Sequence, residues 1–374
     1  MQHKRLLGVV VALFAALVSA RAAGADANAA GIVFVQTNES SGNHVVVYDR
    51  GDDGRLARAG TYATGGNGGA ALPGTETDHL ASQGSLVYDA ASKVLIAVNA
   101  GSDSVSSFSV NGDHLHLASV VASGGQFPAS IAVHGKLVYV LNSGGRGVVQ
   151  GFRIADSRLV PIPHSARSLG LGNSDPPFFL TSPGQVGFTP DGAQLIVATK
   201  ASTSTIDVFR VGADGRLSST PVANPSATPV PFAFTFTPSG RLAAGEAGAS
   251  TLTTYALGSD GTLADPKSQP DGQVALCWIQ RVGAFYYVSN TGSNSISGYT
   301  ISADGQPSLV SPSGVVATTE PGTIDLTSPS AGSFLYAQTG SGTVDEFAVN
   351  SDGTLTQLGV VGGLPVGIEG IAST

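Results

Sequence analysis

Apolar residues along this chain come in short runs broken by turn residues. QVGFTPDG (185–192), FAFTFTPSG (232–240) and IAVHG (131–135) each run into a turn, and a second apolar run follows in KLVYVLN, QLIVATK and FYYVSN. A third run carries an aromatic near its end, then an Asp-Gly turn and a Leu, as in SGYTISADG (297–305) and DEFAVNSDG (345–353). A weaker fourth run follows, such as RLSSTPV (216–222). Runs rich in Val, Ile, Phe and Tyr between Gly, Asn, Asp and Ser clusters predict strands, and Asp-Gly predicts a hairpin turn. The aromatics recur at Tyr48, Phe108, Phe152, Phe209, Tyr255, Tyr299 and Phe347, so seven copies of a four-stranded unit are expected. A strand-only repeat of this period is the signature of a propeller.

First-strand copies fall near 84–88, 129–133, 185–189, 232–236, 275–280, 323–327 and 368–372, whereas the earliest run, GIVFVQTN (31–38), reads as a second strand with nothing before it. The C-terminal strand IEGIAST is therefore expected to complete the N-terminal blade, leaving no open sheet edge. The predicted fold is all-β: a seven-bladed β-propeller of four-stranded antiparallel blades over residues 26–374. Composition fits, since Gly 50 and Pro 20 supply turns and charged residues are only 12%.

Lys4 and Arg5 precede an apolar run from Leu6 to Val18, followed by small residues that offer cleavage after Ala20, Ala22 or Ala25. This layout predicts a secretory signal peptide over residues 1–25 and a periplasmic or secreted product without membrane insertion. Loss of those two cations takes the formal charge from −8 to −10, or to −11 when Arg21 also leaves, and an acidic domain with no basic run excludes nucleic acid as a partner. The single cysteine, Cys277, lies in the apolar strand ALCWI and reads as a small buried hydrophobe.

Two connections are longer than the rest, TGGNGGAALPGTETDHLASQ (64–83) and PIPHSARSLGLGNSDPPFFLTSPG (161–184). Both link a fourth strand to the next first strand, so both fall on one face of the ring, which is the expected binding face. The second strands end on that face at Asn38, Asn99, Asn142, Lys200, Glu246, Asn290 and Gln338. These residues either ring the channel mouth or tie their own tight turns, and Lys200 and Glu246 either serve a substrate or pair with each other. As a ring, the amides and Glu246 would also suit Ca²⁺ through oxygen ligands, although no cofactor is required.

The runs SQGSLVYDAASKVLIAVNAGSDSVSSFSV (82–110), YVSNTGSNSISGYTISADG (287–305) and GTVDEFAVNSDGTLTQLG resemble the seven-bladed lactonase family, which includes the propeller-type 6-phosphogluconolactonases and carboxymuconate cyclases. The resemblance covers nearly all of residues 31–374. It implies a metal-free site that opens or closes a lactone ring with a His, two Arg and a Glu on the channel face. Glu246, in RLAAGEAGAS, stands at the Glu position; Pro231-Phe232-Ala233 replaces the segment with the first Arg, Gln185 stands near the His position and Thr323 near the second Arg. The lost cations would hold an acidic substrate or stabilise an oxyanion. The expectation is therefore a neutral, fairly apolar lactone or similar ester, with Glu246 as base and Lys200 or Gln185 as oxyanion donor. Phe127, Phe232 and Trp278 would line an apolar wall, with Asn99, Asn142 and Asn290 contacting the ligand.

No G-x-S-x-G elbow, Walker loop or H-E-x-x-H occurs. His114 and His116 share one side of an outer strand without a third ligand nearby, which reads as a solvated face. The alternative to an enzyme is a non-catalytic platform for a ligand or protein, and the chain is expected to act as a monomer.

Overall fold

A computed structural model describes residues 30–72 and 77–374. The leader expected over residues 1–25 lies outside the described residues. Seven antiparallel sheets form the ring. Apart from the first blade, each has its strands in sequence order from the channel outward, and the sheets of the third and sixth blades have a fifth short strand. In the third blade the outer strand is split into Arg158–Pro161 and Arg167–Ser168, and in the sixth into Pro307–Leu309 and Val315–Thr318. The outer strand expected at 216–222 forms instead at Val222–Pro225, leaving Leu217 in an isolated bridge with Val211. Among the described residues helix is confined to three single 3-10 turns, each directly after a second strand, and no helix is long and apolar enough to cross a membrane.

The ring closes as expected. Ile371–Ser373 pairs antiparallel with Gly31–Gln36, in the register Val33 to Ser373, Phe34 to Ala372 and Val35 to Ile371.

The core is divided into seven apolar clusters, one between each pair of neighbouring blades. Period-two geometry explains how one strand serves two clusters. In Val94–Asn99 of the second blade, Val94, Ile96 and Val98 face the third blade, while Leu95 and Ala97 face the first. A strand buried on both faces needs no polar alternation, which is why the second strands read as unbroken apolar runs.

The repeating aromatic plays the same part in every blade. Each of the seven packs into the cluster shared with the preceding blade, and none is more than 3% exposed. The Asp-Gly turns stitch blades together. Tyr139, Tyr287 and Tyr336 donate their hydroxyls to Gly215 O, Gly353 O and Gly54 O of the following blade at 2.8, 3.0 and 2.7 Å. Gly54 has φ +81°, and a Cβ there would sit 2.3 Å from the Phe334 ring, so backbone conformation and interblade contact both require glycine.

Candidate functional site

The two long connections meet over the expected face. Leu72 and Phe178 form a parallel bridge, with Leu72 N donating to Pro177 O at 2.7 Å and Phe179 N to Leu72 O at 3.0 Å. The first connection then descends into the channel. Gln83 exchanges two bonds with Ile279 of the sixth blade, its Nε2 donating to Ile279 O at 3.0 Å and its Oε1 accepting from Ile279 N at 2.9 Å. Ser82 Oγ donates to Ala129 O of the third blade at 2.7 Å. Ser82 and Gln83 thus cross the channel between the third and sixth blades.

Most of the expected ring turns away from the channel. Asn99 Nδ2 donates to Ser104 Oγ and Ser106 Oγ, Asn290 Nδ2 to Ser295 Oγ and Ser297 Oγ, and Asn142 Nδ2 to Ser123 O and Val148 O. Asn99 also accepts from Asn43 Nδ2 and Thr64 Oγ1 of the first blade, and Ser123 belongs to the connection from the second, so these amides tie turns within and between neighbouring blades rather than to one another. Among the described residues no group of three His, Cys, Asp or Glu is arranged to hold a metal ion.

Glu246 follows the same pattern and is fully buried. Its Oε2 accepts from Thr228 Oγ1 at 2.7 Å and Thr253 Oγ1 at 2.6 Å, and its Oε1 from Tyr255 OH. A carboxylate caged by three hydroxyls has no open side for a substrate water, contrary to the base role expected for it. Among the described residues no ion pair joins it to Lys200. The neighbouring charge and hydrogen bond, together with burial, raise the Tyr255 hydroxyl far above its usual range, burial being the largest cause.

Lys200 differs in register: Thr199, whose hydroxyl bonds to those of Thr203 and Thr205, holds the place of Asn99 and Asn290, and Lys200 is one residue further on, at the start of the 3-10 turn with φ +50°. The ammonium is buried and gives all three protons to the two connections: Ala81 O at 2.6 Å, Phe179 O at 2.5 Å and Ser182 Oγ at 2.9 Å. It also lies 5.0 Å from the Phe232 ring centroid. Burial pulls its pKa down to about 8, against the opposing fields of Asp78, Cys277 and Glu369.

Around this ammonium lies a cavity of about 350 Å³ lined by Thr77, Asp78, Phe179, Leu180, Lys200, Val230, Phe232, Ala247, Gly248, Ala275, Cys277 and Thr291. Its walls are mainly apolar, with one carboxyl and one ammonium among them, the combination usual for a small-molecule site. Phe232 lines it. Trp278 stands behind Phe232, ring centroids 4.7 Å apart, and is wholly buried. Gln185 lies outside it, its Oε1 accepting from Phe234 N at 2.6 Å and so pinning the fourth blade to the fifth. Phe127 packs in the core between the second and third blades, and Cys277 is a buried free thiol in the cavity wall.

Three carboxyls that the sequence pattern did not single out complete the site. Asp78 is half-buried, and its Oδ1 accepts from Ala81 N at 2.8 Å. Burial pushes its pKa up to about 6, opposed by Lys200 and by a hydrogen bond with Glu369. Glu369 is fully buried, accepts from Leu80 N and Ser82 N, and is held well above the usual range, first by burial and then by Asp78. Asp325, also buried, is pushed up to about 7 by burial. The segment bearing Asp78 is seated on glycines of the seventh blade and the closing segment. A Cβ at Gly340 would lie 2.1 Å from Thr77 O, and one at Gly367 1.9 Å from the His79 ring. The signal available in sequence was an acidic residue within a long connection, but its partner Glu369 lies at the other end of the chain.

No protein-family model matches this chain, and no curated protein matches it by sequence. Solved structures do. A provisionally assigned 6-phosphogluconolactonase from Bacteroides fragilis aligns over 94% of this chain and 99% of its own, with TM-score 0.68 and 18% identity. A protein from Lactobacillus plantarum aligns over 92% and 98%, with TM-score 0.71 and 19% identity. The periplasmic gluconolactonase of Pseudomonas aeruginosa aligns over 92% and 98%, with TM-score 0.67 and 19% identity. The fold is that of the propeller lactonases. At these identities the likeness carries architecture, and the chemistry rests on this chain's own residues.

Proposed function

We propose that this protein is an exported propeller of the lactonase type that hydrolyses a small, neutral, mostly apolar lactone, with Asp78 rather than Glu246 as the base. The observation that supports this reading is the pairing of Asp78 and Lys200 on the wall of an otherwise apolar cavity. Burial raises Glu369 well above the usual carboxyl range, and its hydrogen bond with Asp78 lowers Asp78, which favours negative charge on the carboxyl that lines the cavity. Asp78 takes a proton from water as the water oxygen attacks the ring carbonyl, then returns it to the leaving ring oxygen as the C–O bond breaks. The product is the open hydroxy acid. Lys200 supports the oxyanion by turning one proton from Ser182 Oγ toward it, since that hydroxyl is its only partner that can reorient.

A pH profile with a definite sign follows. Hydrolysis rises as Asp78 loses its proton near pH 6 and falls as Lys200 loses its own near pH 8. The test is an indicator assay of the mature protein against sugar, aliphatic and aromatic lactones, with and without EDTA. Asp78→Asn should lower the rate by about 10²–10⁴-fold at unchanged melting behaviour. Silence of the wild type across the panel would favour a non-catalytic binding platform, a reading supported by the full commitment of the Lys200 protons to the protein.

A further inference from the structure

Large apolar residues continue from the cavity wall to the surface. Leu180, 38% exposed, belongs to the wall and also reaches solvent, and Phe178, two residues earlier, is exposed to the same extent. Phe178 stacks edge-on against the wall residue Phe179 at 5.0 Å. In the connection from the fifth to the sixth blade, Val274 is 60% exposed beside the wall residues Ala275 and Thr291. Gly292 N donates to Val274 O and Thr291 N to Ala275 O, which fixes Val274 at that edge. Scattered exposed apolar residues need no explanation, but large ones continuous with an apolar cavity mark a surface meant to be covered.

At about 350 Å³ the cavity is at the small end for ligand sites, roughly 300–1,000 Å³. A ring ester placed against Asp78 and Lys200 fills much of it, so a substituent on that ring must leave through the mouth. We propose that the ligand is a lactone bearing an unbranched alkyl chain, its ring in the cavity and its chain laid over Leu180, Phe178 and Val274. The inference rests on the ring-ester reading of the same cavity. It adds that selectivity comes from chain length, and it needs no charged group on the ligand. Among the described rim residues no cation is available to hold one, because the Lys200 ammonium is buried.

Trp278 is the only tryptophan, and its ring lies against Phe232 in the wall, so its fluorescence reports on the cavity. The test uses ring lactams with progressively longer straight side chains, which the site can bind but not readily hydrolyse, followed by Trp278 emission and by calorimetry. Each added methylene that reaches the rim should tighten binding about two- to fourfold. The double variant Phe178→Ser, Val274→Ser should flatten that dependence and leave the shortest homologue unchanged. Equal affinity along the series, no binding at all, or a slope that survives in the double variant would overturn the proposal. So would rim-dependent attachment to neutral phospholipid vesicles with a flat lactam series, which would assign the rim to a membrane. Chain-dependent lactam binding without hydrolysis of the matching lactones would uphold this inference and reject the hydrolytic reading alone.

Discussion

The indole Nε1 of Trp278, on the sixth blade, donates to the carbonyl oxygen of Ser82, in the connection leading into the second blade, at 2.8 Å. These blades stand on opposite sides of the ring, so this bond spans the channel and anchors the segment that carries Asp78. Trp278→Phe keeps most of the apolar contact with Phe232 but leaves Ser82 O without its donor. The expected loss is about 1–3 kcal/mol, read by urea denaturation followed by far-UV circular dichroism.

Glu246 holds a blade together, and its substitution should reveal that. Glu246→Ala strips the partner from Tyr255, Thr253 and Thr228 at once, and a loss of about 3 kcal/mol or more is expected. Hydrolysis per folded molecule should be unchanged. An intact melting curve with abolished turnover would return the catalytic role to Glu246.

The buried carboxyls shape the dependence of stability on pH. Asp78 and Asp325 are raised in the folded state, so between their unfolded values near 4 and their folded values of about 6 and 7 the native state binds more protons than the unfolded chain. Stability contributed by these groups is therefore present at low pH and falls as pH rises through that window. Lys200 acts oppositely: lowered to about 8, it makes stability rise with pH between about 8 and its unfolded value. Asp325→Asn should raise stability at pH 7.5 by about 1 kcal/mol or more and reduce the fall between about pH 5 and 7. An unchanged slope in chemical denaturation across that range would contradict the assignment.

Gly340 positions Asp78 without touching a ligand. Its Cβ would meet the Thr77 backbone at 2.1, 2.4 and 2.6 Å, and backbone cannot swing aside as a side chain can. Gly340→Ala should lift the segment from the seventh blade and lower hydrolysis about tenfold or more, with the loss in kcat rather than KM. Gly172→Ala, at a glycine of the second long connection with no neighbouring atom within 4 Å, controls for a general effect of removing glycine from this face.

The blades were legible in the sequence because each is local. Alternation, Asp-Gly turns and the third-strand aromatic all act over a short stretch of chain, and the unpaired GIVFVQTN demanded a C-terminal partner to complete its sheet. The two long connections were legible as a shared face for the same reason: loop length is a property of the chain. The site was not. Whether a side chain at a second-strand end faces the channel depends on its register against the third strand, and Lys200 lies one residue beyond Thr199, which composition cannot report. Asn99, Asn142, Glu246 and Asn290 occupy the place held by Thr199 in the fourth blade, and they bond within their own blades and to the preceding one. Leu80 and Glu369, 289 residues apart, are joined only because the ring closes and its channel is filled from above. Repeat, closure and the face that carries both long connections are thus written in the order of residues along the chain. Which charges meet on that face depends on burial and on proximity across the channel, and both arise only once all seven blades are in place.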